Sequence, residues 1–352
     1  MIFRFPCALL GAALLFAACG DNPQTDGNVE LTPPGQAPTD MVGTLTNDAA
    51  DPYDGPLKVS LAQWSLHKRY LPEGMYGGTG QGDPYDFAKD AAAMGFDGIE
   101  YVSVMYSDDF AERGEERGES ILEVMADLHE RAEAAGVEEV LIMVDGEGEL
   151  AETNEAERVI AVENHKRWVD AAAASGIPTI RVNAGGESLR AKANAKEAHD
   201  AAVRSLSVLG AYAAPKNVNV VVENHGGYSS DPVWLRDVMA EVDMGNVGVL
   251  PDFGNFCRRR VNPTRWEDGC ADEVPADSIY AAVGMWMPYA HAVSAKSFDF
   301  DAEGNETKID FARMLDTVRS YGYDGYVGVE YEGGRLGEPE GIEATKALLK
   351  RN

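Results

Sequence analysis

Val218-Asn219-Val220-Val221-Val222-Glu223-Asn224-His225-Gly226-Gly227 is the stretch on which the reading of this chain turns. Its valine run favours the pleated, buried backbone of a strand. A carboxylate, an amide, an imidazole and two glycines follow, and a strand serving only a core has no use for them. Three other stretches repeat the plan of apolar run, carboxylate and glycine. They are Gly98-Ile99-Glu100-Tyr101, Val249-Leu250-Pro251-Asp252-Phe253-Gly254-Asn255 and Tyr326-Val327-Gly328-Val329-Glu330-Tyr331-Glu332-Gly333. Parallel strands that each end in a polar group, with helices between them, describe a (β/α)8 barrel whose functional rim is its C-terminal face.

Working outward, strands are expected at 57–67, 98–104, 140–144, 179–186, 218–223, 247–252, 292–297 and 326–331. Helical periodicity places helices near 83–94, 120–135, 154–175, 195–214 and 341–350, with a further one starting at Asp231-Pro232. The segment 257–276 departs from the repeat and reads as a long loop on the functional face. The glycine-rich loop 77–82 lacks a GxGxxG pattern opening directly into a helix, so it reads as a rim loop and not a phosphate cradle.

Ahead of the barrel, residues 1–19 hold one arginine, a short apolar run and Ala17-Ala18-Cys19. This has the form of a secretory signal, and the cysteine after two alanines resembles a bacterial lipoprotein signal in which Cys19 carries the lipid. The apolar run is shorter than the roughly 20 residues that span a bilayer. Residues 20–56 are rich in Pro, Gly, Asp, Asn and Thr and read as a flexible linker, leaving 57–352 for the barrel. The expected location is therefore the bacterial cell envelope, with the protein lipid-anchored and facing the periplasm or the exterior.

The formal net charge of −29, from 59 acidic and 30 basic residues, disfavours a nucleic-acid partner. Cations and neutral sugars remain compatible with such a surface. Cys257 and Cys270 lie in the same long loop, and in an oxidising compartment they are expected either to pair or to stay as two thiols.

Glu223, Asp252 and Glu330 stand at the exits of three different strands. Three carboxylates converging on one rim raise one another's pKa unless a cation sits among them. Oxygen ligands suit a hard divalent metal such as Mg²⁺ or Mn²⁺. Alternation along a strand puts Arg181 and Asn183 on one face and Ser294 and Lys296 on one face. By the same alternation His291 faces away from the pocket. Trp64, His67, Arg181, Asn183 and His225 are the expected substrate-binding residues. Lys296 joins Glu223 and Glu330 as a candidate catalytic group. Glu100 reads as orienting a neighbour or pairing within the structure.

These stretches, with Gly95-Phe96-Asp97-Gly98-Ile99-Glu100 and Gly325-Tyr326-Val327-Gly328-Val329-Glu330, resemble the sugar phosphate isomerase/epimerase superfamily, the xylose-isomerase-like (β/α)8 TIM barrels. The resemblance implies that Glu223, Asp252 and Glu330 bind one divalent metal. It also implies that the two glutamates move a proton at the carbon next to a carbonyl. The chain departs from the family's strand-seven pattern: with Lys296 matched to the family's lysine, Ser294 takes the place of the ligand histidine and Ser297 that of an aspartate. His225 shares the parity of Glu223 and is the better nitrogen donor, or else a hydrogen-bonder to substrate beyond the strand end. The expected function is a metal-dependent isomerase or epimerase acting on a sugar or keto-sugar. A lyase or hydratase on an oxidised glycoside or inositol-like ring, and a non-catalytic sugar-binding lipoprotein, are the alternatives.

Overall fold

Short β-branched runs, each followed by a capped helix, wind into one parallel ring. The computed structural model describes residues 51–106, 117–190, 193–262 and 268–352, without the side chains of 117–119. The expected signal, Cys19 and most of the expected linker lie outside the described residues. Residues 51–56 carry no regular structure, but they already touch the barrel, since Tyr53 N donates to Arg319 O at 2.9 Å.

The ring strands are β1 (Lys58–Ala62), β2 (Gly98–Val102), β3 (Glu138–Met143), β4 (Thr179–Val182), β5 (Asn219–Glu223) and β6 (Val247–Leu250). After a separate hairpin, β7 (Cys257–Arg260) and β8 (Cys270–Glu273), the ring resumes with β9 (Val293–Ser297) and β10 (Tyr326–Tyr331). Neighbours pair in parallel in the order β6-β5-β4-β3-β2-β1-β10-β9. The ends of this sheet meet through two bridges, Val249 with Ala290 and Asp252 with Ser294. Backbone bonds from Ser294 N to Pro251 O (3.0 Å) and from Phe253 N to Ser294 O (3.1 Å) reinforce that seam. The ring therefore closes where the acidic residues gather.

Val220, Val221 and Val222 are fully buried because helices cover one face of β5 and the barrel interior covers the other. The covering helices begin where the sequence supplies caps. Asn154 accepts from Ala156 N, Asn194 forms a capping box with Glu197, and Asp231 accepts from Val233 N and Trp234 N ahead of a proline in the first turn.

Several expectations change in detail. β1 stops at Ala62, and Trp64 and His67 lie in the helical turns Gln63–Leu66 and His67–Tyr70 that follow it. β4 ends at Val182, because Asn183 onward turns out of the sheet toward the rim. The long loop at 257–276 contains the β7–β8 hairpin, and a disulfide joins Cys257 to Cys270 across it (Cα–Cα 5.8 Å). Arginines and acids on both faces of that hairpin leave no alternation for a sequence reading to find. Helices at Ile279–Trp286 and Phe311–Ser320, which the periodicity did not single out, complete the outer layer.

Candidate active site

Glu223 is the last residue of β5, Asp252 lies two residues past β6, and Glu330 is the penultimate residue of β10. Each offers a carboxylate oxygen to a group whose members lie within 4.8 Å of one another, and all three residues are buried. Two asparagines hold the β5 and β6 exits together. Asn224 Nδ2 donates to the carbonyls of Asp252 and Asn255, both at 3.0 Å, and its Oδ1 accepts from Asp252 N at 2.7 Å. Asn255 Nδ2 donates to Glu223 Oε1 at 2.9 Å. Asp252 Oδ1 accepts from the amides of Gly254 (2.9 Å) and Asn255 (2.7 Å), which aims Oδ2 at the seam.

The glycines after β5 have a steric purpose. Gly227 has φ +66°, and a Cβ there would lie 2.4 Å from the Gly186 carbonyl carbon, so only glycine fits against the β4 exit.

Two buried cations stand among the acids, one on each side. Arg181 on β4 forks onto Asp145, with Nη1 to Oδ1 at 2.7 Å and Nη2 to Oδ2 at 3.4 Å. Its Nε lies 2.9 Å from Glu223 Oε2, an ion pair by distance whose N–H is not aimed at the oxygen. Asp145 also accepts from Asn183 Nδ2 at 2.7 Å, while Asn183 Oδ1 is buried without a hydrogen-bond partner. Lys296 on β9 is 1 % exposed. Its Nζ lies 3.2 Å from Glu330 Oε1, 3.4 Å from Glu332 Oε1 and 3.8 Å from Asp252 Oδ2. Pairing of Lys296 with Glu330 in the β9–β10 register fixes this meeting.

Ser294, across the seam from Asp252, has Oγ 2.7 Å from Asp252 Oδ2 and 2.9 Å from Glu330 Oε2. A hydroxyl has one hydrogen to donate. With both contacts made, a proton on one of the carboxyls completes the second.

The electrostatics follow from burial and crowding. Glu223 is raised to about 7, chiefly by burial; Arg181 opposes the rise and Glu330 adds to it. Asp252 is raised well above the usual carboxylate range by burial, with Glu223 and Glu330 adding to it against Lys296. Burial alone would lower Lys296, but Asp252, Glu330, Glu332 and Glu223 together drive it above the ordinary lysine value. Asp145 is held low against its burial by Arg181, His225 and Asn183.

His225 lies accessible at the mouth. Desolvation among the rim atoms, then the charges of Arg181 and Lys296, draw it below the usual histidine value, so it is neutral at pH 7 and able to accept or donate one hydrogen bond. It stands outside the three-carboxylate group. Trp64 Nε1 donates to Glu332 Oε1 at 2.7 Å, and its ring stacks on His67 at 4.8 Å. His67 itself turns to the Trp64 carbonyl (2.7 Å) and to Glu338 (3.8 Å). Tyr76 stands edge-on to Trp64 at 5.6 Å and is 63 % exposed. His291 lies against Gly248 near the start of β6, away from the acids.

Beneath the acids, Ser60 Oγ donates to Glu100 Oε1 at 2.5 Å, and Glu100 Oε2 has no hydrogen-bond partner. Burial raises Glu100 to about 8, with Glu330 and Glu223 adding to the rise. Gly328 leaves the room that this carboxyl fills, since a Cβ there would run into it.

Sequence reasoning missed Glu332 and Asp145 as members of the site. Glu332 was within reach of the alternation rule, because it shares the parity of Glu330. Asp145 lies two residues past β3, and its role depends on Arg181 reaching across from β4.

Residues 88–352 match the family described as xylose isomerase-like TIM barrel. The sequence matches no curated protein. Among solved structures, a 3-keto-D-glucoside 4-epimerase from E. coli is similar at 16% identity and TM-score 0.60, covering 84% of this chain and 100% of that one. A D-allulose 3-epimerase from Methylomonas sp. gives 13% identity and TM-score 0.59 over 86% of this chain and 99% of that one. A probable 3-DHS dehydratase from Bacillus anthracis gives 17% identity and TM-score 0.55 over 84% and 100%.

Proposed function

We propose, for a chain that belongs to the xylose isomerase-like TIM-barrel family, that it is an enzyme of carbohydrate chemistry that moves a proton at the carbon next to a carbonyl. The observation carrying this reading is the buried group Glu223, Asp252 and Glu330, flanked by Arg181 and Lys296. Epimerases among its structural neighbours support isomerisation or epimerisation. The dehydratase favours a second outcome on the same carbanion chemistry, loss of a β-substituent.

The donor set fits a hard divalent cation. Three buried carboxylates offer oxygens within 4.8 Å of one another, and the Ser294 hydroxyl touches two of them. Glu223, Asp252 and Glu330 would hold the ion, with Ser294 beside them. Such an ion, when bound, polarises a carbonyl or hydroxyl oxygen.

The chain's own residues do the rest. Glu223, poised near neutrality, takes the proton, and Glu330 stands within the same group to return one. Lys296 is ammonium throughout the neutral range and offers its charge to a developing enolate oxygen. The unpartnered Asn183 Oδ1 and the neutral His225 are positioned to bond sugar hydroxyls, and Trp64 presents a flat apolar face to the ring.

We also propose the envelope lipoprotein location, which rests on residues 1–19. It favours an unphosphorylated substrate, either a free sugar or an oxidised glycoside. The test is product analysis by NMR on free ketoses and 3-keto-glycosides with Mn²⁺ or Mg²⁺ supplied. A new epimer, isomer or unsaturated sugar is expected. No conversion of any of them contradicts the reading.

A further inference from the structure

The two cations of the site are held in different ways. Arg181 is planar, forked onto Asp145 and set against Glu223. Lys296 is a point charge on a flexible stem, shared among three acids of different exposure. Glu330 and Asp252, at 3.2 and 3.8 Å, have side chains 6 % and 0 % exposed. Glu332, at 3.4 Å, has a side chain 28 % exposed and also takes the Trp64 indole N–H.

Two of the three carboxylates proposed to hold a divalent ion therefore already share one ammonium. An oxygen-bound divalent ion sits roughly 2.0–2.6 Å from its ligands. Placed on Asp252 and Glu330, it would stand within a few ångströms of the Lys296 Nζ, where like charges repel strongly in a buried site. Arg181 would keep its fork onto Asp145 if an ion took Glu223, whereas Lys296 would give up two of its three partners and keep only Glu332.

We propose that Lys296 is an internal competitor of the metal: it occupies Asp252 and Glu330 in the ion's place, and on binding it passes to Glu332 alone. This rests on the reading of Glu223, Asp252 and Glu330 as ligands. Ser294 Oγ, which touches both carboxylates, stays as their link in either state. The handover brings the ammonium toward the Trp64 side of the mouth, where a substrate oxygen would meet it. The ion is then bound weakly enough to exchange, and its affinity is set by a residue that is not one of its ligands.

The test is a Mn²⁺ titration of the full chain, followed through the electron paramagnetic resonance signal of free Mn²⁺. Wild type, Lys296→Met and Glu332→Gln are compared, with circular dichroism as the check on folding. Lys296→Met is expected to bind Mn²⁺ about tenfold more tightly or better, and Glu332→Gln about tenfold more weakly, within the span of ordinary site-to-site coupling. Equal or weaker binding by a folded Lys296→Met overturns the competition. If Lys296→Met does not fold, unchanged affinity in Glu332→Gln overturns it instead. An unchanged Glu332→Gln beside a tighter Lys296→Met overturns the handover. No Mn²⁺ bound by any of the three chains overturns the ligand assignment itself, a failure distinct from a wild type that binds but does not compete.

Discussion

The Arg181 side and the Lys296 side of the pocket use the same charges to opposite ends. On the first, the guanidinium forks onto Asp145, Asn183 braces the same carboxylate, and Asn255 fixes the far oxygen of Glu223. On the second, one ammonium is divided among Asp252, Glu330 and Glu332, and a single serine hydroxyl serves two carboxyls. The difference teaches where rigidity and adaptability sit. A planar cation forked onto Asp145 keeps its charge fixed beside Glu223, while a flexible one shared among three acids leaves Asp252 and Glu330 open to an ion.

The largest expected effect removes the groups that both sides serve. Glu223→Gln and Glu330→Gln, isosteric and unable to take a proton, should each lower kcat by about 10²–10⁴. Thermal melts near wild type would separate this loss from unfolding.

The comparison itself is tested by removing one cation at a time. Arg181→Leu leaves Glu223 buried and Asp145 half-buried without their partner and should destabilise by about 3–5 kcal/mol in denaturant titrations. Lys296→Met should lose roughly half as much or less, because Asp252 and Glu330 stay bonded through Ser294 and Glu332 reaches solvent. Equal losses would erase the distinction.

A third effect concerns pH in metal-free protein. Glu223 and Glu100 have folded values raised to about 7 and about 8, above their unfolded range. The folded state therefore binds more protons than the unfolded one above about pH 4.5, and stability falls as pH rises through that window toward 8. Glu100→Gln should flatten the upper part of the fall, which is worth at most ~1.4 kcal/mol per pH unit for one group. Urea midpoints across pH 5–9 read it directly.

The smallest effect asks whether the locked side owes its rigidity to the hairpin above it. The Cys257 carbonyl accepts from Gly227 N at 3.2 Å, and Arg260 N donates to Glu187. Cys257→Ser should open the hairpin to proteolysis while moving the barrel's thermal midpoint by only about 2–4 °C. A much larger shift would make the hairpin part of the barrel's core support.

The ring and its acids were legible because strand exits repeat one pattern in different places. Val220-Val221-Val222 reads as a strand covered on both faces, and the carboxylates stand at or just past the ends of β5, β6 and β10. The inward side chain of Lys296 and the outward one of His291 follow from the alternation that a strand imposes. What escaped depends on pairing between strands. Asp145 matters because Arg181 reaches it from β4, and Ser294, placed inward by its parity with Lys296, meets Asp252 only because the seam sets the two opposite each other. The hairpin escaped because both of its faces are charged, and Trp64 and His67 were misplaced because β1 gives way to a helical turn at Gln63. Local propensity carries no term for any of these contacts.

The central claim is that a carbon-bound proton next to a carbonyl is removed by this carboxylate group. The most direct measurement is deuterium wash-in at that carbon, in D₂O with saturating Mn²⁺, for wild type beside Glu223→Gln and Glu330→Gln. The account predicts wash-in by wild type on a free keto-sugar or 3-keto-glycoside, reduced in both variants. No wash-in by a wild type that binds the sugar, or wash-in undiminished in both variants, would contradict it.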